Sequence, residues 1–227
     1  CPDIFDSKPF TRWKNTIMLK YISLYFMPTD VHRILRLDGD VIVAGDITEF
    51  YFCDLLDNCV AVGTKESFSS QDQRNKKLGV KDNLTINAGV CLINVDFWKK
   101  CLPNLESFKE AFWGLEDRIF PAAEQNFFNI YFDGHKKYWP NDKYMKIPIW
   151  YLMVDEKYNC KKPHIIHYLS EQKPWKHDNL ISYRMKFWHY ALRFYGVGYF
   201  LKIYLKRIPF LIKHYFKAVK NRIFKRN

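Results

Sequence analysis

The sequence predicts an α/β domain, and three observations carry that expectation. Short β-branched runs at 32–43, 60–63, 85–95 and 164–169 alternate with stretches of helical periodicity. Apolar residues make up 48% of the 227 positions and aromatic residues 18%, enough for one substantial core or two small ones. Only 9 Gly and 10 Pro are present, which excludes collagen-like, mucin-like and generally disordered chains.

Taken in order, residues 9–28 predict a helix with Ile17, Leu19, Ile22, Leu24 and Phe26 on its apolar positions, ended by Pro28. His32 to Val43 predicts one strand buried on both faces, as in a parallel sheet, with Asp38 and Asp40 interrupting it. Val60 to Gly63 is a second short strand, and 67–83 is polar and loop-like. Thr85 to Val95 (TINAGVCLINV) is a third, with a glycine inside it. Asp96 then stands at an N-cap for one helix holding Phe97, Trp98, Leu102 and Leu105. Glu124 to Phe132 is a short helix ended by Gly134. His164 to Leu169 holds the last strand, and Lys173-Pro174-Trp175 supplies turn chemistry.

Charge is distributed unevenly. Asp178 is the last acidic residue, and the 12 Lys and Arg in 179–227 account for the whole formal net charge of +12. A neutral body with a basic appendage is expected, and not a protein that is basic all over. No apolar run approaches the roughly 20 residues of a membrane-spanning helix. No charged segment followed by an apolar one marks a secretion signal at the N-terminus. The first residue is Cys1 and not Met, so the chain reads as a fragment. Cysteines fall at 1, 53, 59, 91, 101 and 160 with no CxxC pair, and are expected to be mostly buried thiols of a cytosolic protein.

Four constellations carry chemistry. Asp38 and Asp40, one residue apart in an extended segment, point to the same side and lie between Ile34-Leu35 and Val41-Ile42-Val43. Asp and Gly also favour turns, but unpaired charges between apolar runs are costly, and a divalent cation would resolve that cost. His167 closes the apolar run His164-Ile165-Ile166-His167; carboxylates with an imidazole suit Mn²⁺ or Mg²⁺ with phosphate oxygens completing the shell. Lys173, six residues on, offers a cation to the same phosphates. Asn87-Ala88-Gly89 places small residues inside an apolar strand, where a ligand or another backbone can approach closely. Glu124-Gln125-Asn126 opens a helix with polar groups ahead of Phe127-Phe128.

With these residues in view, LDGDVIV at 37–43, INAGVCLINV at 86–95, AEQNFFN at 123–129 and HYLSEQKPW at 167–175 resemble the ordered motifs of the family 8 retaining glycosyltransferases. The resemblance covers residues 10 to 177. It implies a GT-A fold, a UDP-sugar donor (UDP-galactose or UDP-glucose) and a divalent metal, Mn²⁺ or Mg²⁺. By position, Asp38, Asp40 and His167 look like the metal ligands, and Lys173 like the lysine on the donor diphosphate. Asn87, Ala88 and Gly89 match the strand lining the donor sugar. Glu124 and Gln125 fall at the family's catalytic pair on the sugar's β face. Lys20 matches a donor-contacting arginine, Glu66 falls near a sugar-binding acid, and Asp38 also faces the donor.

Departures from the pattern are specific. Ser170 stands where the family has glycine in its phosphate turn, Glu124 replaces Asp, and Lys20 replaces Arg, which keeps a cation but loses bidentate geometry. Family members also carry chain ahead of the first helix, including a strand and a uridine-binding acidic-aromatic segment. The chain is therefore expected to be N-terminally truncated or degenerate.

The expected organisation is a GT-A domain over 1–178 and a helical, basic extension over 179–227. That extension interleaves 13 aromatics with its cations. It is expected to lie on an anionic membrane, with Phe187, Trp188, Phe194, Phe200 and Phe210 entering the interface. Cations with aromatics also bind single-stranded nucleic acid, but no RNP-like or helix-turn-helix pattern accompanies them, so nucleic acid is not an expected partner. The expected function is metal-dependent, retaining hexosyl transfer to a cell-surface or lipid-linked glycan, such as lipopolysaccharide. The protein would be cytoplasmic and peripheral at the inner face of the membrane. The alternative is a non-catalytic membrane-associated module that has lost its donor site.

Overall fold

The computed structural model describes residues 18–55, 59–65, 78–81, 85–119, 123–139, 163–168, 173–176 and 184–224. In chain order these form α1 (Leu19–Ile22), continued by a 3₁₀ turn (Ser23–Phe26), β1 (Arg33–Leu37), β2 (Val41–Val43), α2 (Thr48–Tyr51), β3 (Ala61–Lys65) and β4 (Ile86–Asn94). Then come α3 (Val95–Cys101), α4 (Leu105–Trp113), α5 (Glu116–Ile119), α6 (Ala123–Tyr131), β5 (Lys136–Tyr138), β6 (Ile165–His167) and α7 (Arg184–Phe224). The chain falls into two compact units, Cys1–Gly39 with Asp46–Met145, and Asp40–Gly45 with Lys146–Asn227.

The first unit holds a four-stranded mixed sheet in the order β1-β4-β3-β5. β4 runs antiparallel to both β1 and β3, while β3 and β5 are parallel. β4 is buried along nearly its whole length, which explains its unbroken apolar sequence. Beside it, an aromatic core forms on the first helical turn. Tyr21 stacks on Trp98 (5.0 Å between centroids) and on Phe128 (5.9 Å), with Phe108, Phe112, Phe127 and Phe132 packed around them. Each such side chain contributes about 1.5–3 kcal/mol on burial.

Several expectations change here. The run 32–43 is not one strand of a parallel sheet: β1 pairs antiparallel with β4, is mostly half-buried, and ends at Leu37. The chain leaves the ladder at Asp38-Gly39-Asp40, and β2 pairs with β6 in the second unit. A strand buried on both faces has no place for two carboxylates, so the acids mark a break in it. Of the expected 9–28 helix, the described part is an α turn running into a 3₁₀ turn over Leu19–Phe26, while residues 9–17 lie outside the described residues. The cap of α3 is Asn94, whose side chain accepts from Phe97 N, and not Asp96. Asp96 sits in the first turn, favourable for a carboxylate, 2.9 Å from His32 Nδ1. One helix was expected across Phe97 to Leu105, but Pro103 cannot donate to continue it, and Asn104 starts α4 with a capping box to Ser107. Cys53, Cys59, Cys91 and Cys101 are free thiols, Cys59 and Cys91 buried and the other two half-buried.

In the second unit β2 and β6 pair antiparallel, and Ile166 and Tyr168 are buried with Ile42, Ala44 and Phe187 against them. α7 is broken at Gly196, whose φ of 75° and ψ of 174° belong to glycine alone. Trp188, ahead of the break, meets Phe200 beyond it (5.6 Å). Two of the residues expected at a membrane interface are therefore committed elsewhere. Trp188 is buried, and Phe187 packs on Tyr168 and Trp175. Phe194, also expected there, is widely exposed, as are Tyr195, Val197, Tyr215 and Phe216.

One side chain fastens α6 to the sheet. Asn129 accepts from Ile86 N (2.8 Å) and donates to Ile86 O (3.0 Å) and Gln125 O (2.9 Å), all inside the first unit. Asn129→Leu would leave the first peptide group of β4 unpaired in a buried setting, so urea denaturation is expected to show a loss of about 1–3 kcal/mol. An unchanged midpoint would remove Asn129 from this role.

Candidate functional site

Seven of the residues singled out in the sequence are joined by hydrogen bonds within the first unit. Asp38 N donates to Gly89 O (2.8 Å), which ties the end of β1 to the middle of β4. Asn87 turns its side chain back to accept from Gly89 N (2.9 Å), and Ala88 N donates to Gln125 Oε1 (3.2 Å). A side chain on α6 thus reads the backbone of the small-residue segment directly. From α1, Lys20 Nζ reaches Asp38 Oδ1 (2.5 Å) and Glu124 Oε1 (3.4 Å). Glu124 is buried, and its Oε1 also accepts from Arg36 Nη2 (2.9 Å). Burial pushes the Glu124 carboxyl above its ordinary value, and Arg36 and Lys20 oppose that push. Burial also drives Tyr21, beneath Arg36, to a raised pKa, so it stays a neutral phenol.

The second unit brings together Asp40, His167 and Lys173. Asp40 Oδ1 lies 3.2 Å from His167 Nε2, and Lys173 Nζ donates to Asp40 Oδ2 and to Tyr168 O (2.6 Å). The register Val41↔His167 and the bond from Tyr168 N to Asp40 O (2.9 Å) set this pair. His167 is almost fully buried at the end of β6. Burial alone would raise the Asp40 carboxyl, but hydrogen bonds and charge from His167 and Lys173 outweigh it and bring the pKa down to about 2. Glu66 and Ser170 lie outside the described residues.

Arg36 was not singled out from the sequence. A signal for it existed: in Arg36-Leu37-Asp38 the arginine alternates with the acid, which puts both on one side of the strand. Its partner Glu124 lies 88 residues away, and no local pattern links them.

This fold and these residues match known proteins. The family model for glycosyl transferase family 8 matches residues 5–179, and the chain belongs to that family. Among curated proteins, glycosyltransferase GlyA of Streptococcus pneumoniae is 29% identical over 178 residues, covering 77% of this chain and 23% of that protein. GlyF of the same organism is 27% identical over 199 residues, covering 82% of this chain and 45% of the other. The chain thus spans less than half the length of these relatives. Among solved structures, the galactosyltransferase LgtC with donor and acceptor sugar analogs superposes with a TM-score of 0.67 at 25% identity, over 84% of this chain and 72% of that one. Glycosyltransferase GlyE of Streptococcus pneumoniae shares the fold at a TM-score of 0.57 and 22% identity, over 82% of this chain and 45% of the other. The fold is GT-A, with a helix at its C-terminal end.

The depressed Asp40 pKa has a stability consequence. Its folded value of about 2 lies below the unfolded 3.8, so the contribution is complete above 3.8 and fades as pH falls toward about 2. Denaturant titrations of metal-free protein are expected to show Asp40→Asn less stable than wild type at pH 6, with the gap closing as pH drops from 4 toward 2. A gap that stays constant across this range would contradict the Asp40 pairing.

Proposed function

We propose that the chain is a metal-dependent, retaining hexosyltransferase that takes a hexose from UDP-galactose or UDP-glucose and passes it to a glycan or lipid-linked acceptor. The observation that carries this reading is the hydrogen-bonded set Lys20, Asp38, Asn87, Ala88, Gly89, Glu124 and Gln125, in a chain belonging to family 8. These are the residues whose motifs resemble the family's donor site. The LgtC structure with donor and acceptor sugar analogs supports the same class of chemistry.

The donor set fits a hard divalent cation. Asp40 is ionised at neutral pH and lies against a histidine nitrogen, and Asp38 is two residues away along the chain. Asp38, Asp40 and His167 would hold Mn²⁺ or Mg²⁺. Such an ion supplies charge neutralisation to the departing UDP. Lys173, now on Asp40, offers a second cation to the diphosphate, and Ser170, three residues earlier in the sequence, would contact the donor too. Lys20 would contact the donor beside Asp38, and Glu66 the sugar.

At the sugar, Gln125 and Glu124 have separate tasks. Gln is a poor nucleophile, and the Gln125 amide oxygen accepts from Ala88 N, so it is suited to orient the sugar. Glu124, buried beside two cations, places a fixed negative group near a carbon that gains positive charge as UDP leaves. Attack on the same face as departure, with leaving UDP taking the acceptor's proton, retains configuration without a bond to the protein.

The basic extension would hold the enzyme at the inner face of a membrane. Its support is the exposed apolar surface at Phe194, Tyr195, Val197, Tyr215 and Phe216, alongside the surplus cations. Among the described residues no helix is long and apolar enough to cross a membrane.

Three outcomes test this reading. Asp40→Ala is expected to abolish turnover of a UDP-sugar, and excess chelator to do the same to wild type; full activity in chelator would refute the metal role. Gln125→Ala is expected to slow transfer about 10- to 100-fold without ending it, and intact-mass spectrometry to find no sugar adduct on Glu124 or Gln125. Deletion of 179–227 is expected to weaken co-sedimentation with anionic vesicles, with salt releasing the wild type only in part. Equal binding to neutral vesicles would mean the segment only packs on the protein.

A further inference from the structure

We propose that Arg36 is the positioning residue for Glu124, clamping its carboxylate in the orientation that the donor site uses. The inference deepens the reading above and rests on the role assigned there to Glu124.

Arg36 lies on β1 opposite Cys91 of β4, and only 7% of it is exposed. A charge at that depth is costly unless it is paired. Its Nη2 donates to Glu124 Oε1 at 2.9 Å, and its guanidinium lies 4.8 Å above the Tyr21 ring. That ring is itself held by its stacks on Trp98 and Phe128. The arginine is therefore fixed by strand pairing at its backbone and by a rigid aromatic floor at its head.

The other cation on Glu124 is placed differently. Lys20 is 3.4 Å from Glu124 but 2.5 Å from Asp38, and its side chain is 28% exposed against 8% for Arg36. Lys20 is divided between two carboxylates and remains accessible to an incoming anion. A diphosphate that drew Lys20 away would leave Glu124 with Arg36 as its nearer and less accessible cation. The Arg36 head group is engaged by Glu124 and held over the Tyr21 ring, so it acts through Glu124. A permanently charged guanidinium held over the Tyr21 ring suits this task better than a flexible ammonium.

The test combines steady-state hydrolysis of a UDP-sugar with thermal melting for Arg36→Met, Arg36→Lys, Glu124→Gln and the double variant Arg36→Met/Glu124→Gln, all in the full chain. Arg36→Met is expected to lower kcat about 10- to 100-fold while KM stays within about threefold, the sign of an interaction felt in the transition state. Arg36→Lys should recover part of kcat. The double variant should melt above Arg36→Met, because no buried carboxylate is left without its nearer cation, yet its kcat should stay low. A folded Arg36→Met with wild-type kcat overturns the proposal, as does a double variant that regains kcat together with melting temperature. If Arg36→Met fails to fold, Arg36→Lys decides: reduced kcat at preserved KM supports the proposal, and wild-type kcat overturns it. Wild-type kcat in Glu124→Gln removes the reading of Glu124, and the proposal with it. A slow Glu124→Gln beside an unimpaired Arg36→Met removes the proposal alone.

Discussion

A carboxylate buried as deeply as Glu124 is tolerable only beside cations within hydrogen-bond reach, and the organisation of the first unit follows from that requirement. The two cations come from separate elements. Arg36 is delivered by β1, and Lys20 by the helical turn before it; both must be in register when α6 brings Glu124 to them. The aromatic core does that placing. Tyr21 is the neighbour of Lys20 in sequence, the floor beneath Arg36, and the ring on which Trp98 and Phe128 stack. One packed cluster thus sets the position of both cations.

The polar contacts of α6 complete the arrangement. Asn129 grips Ile86 at the start of β4, and one turn earlier Gln125 grips Ala88, two positions further along the same strand. Lys136 closes the far end of the helix by donating to Asn129 O (3.0 Å) and Phe132 O (2.8 Å), where helical carbonyls lack partners. Helix and strand are fastened at several points, so Glu124 and Gln125 project from a stiff support.

The second unit follows a different logic. Its ladder is only three residue pairs long, and it serves to align Asp40 with the end of β6. The broken helix α7 then divides its aromatics between two environments. Trp188 and Phe187 pack inward, while Phe194 and Tyr195, at the break, face solvent. Gly196 permits that division because its backbone conformation is closed to residues with a Cβ.

Composition and local pattern alone determined the α/β class, the strands at β3, β4 and β6, the helix ending at Gly134 and the ordered motifs that mark family 8. These features rest on apolar periodicity and on glycine or proline at chain breaks, which act over a few residues. Asn94 and Pro103 are local signals too, a cap residue and a helix breaker, but Asp96 and the apolar positions on both sides of the proline compete with them over the same few residues. Tertiary structure alone decided that β1 pairs antiparallel with β4, that the acids end the strand, and that Trp188 is buried. It alone brought Arg36 and Lys20 to Glu124, across 88 and 104 residues of chain. The reason is physical: a charge in a strand or at a helix start costs nothing identifiable until its desolvation is known, and desolvation is a property of the packed core.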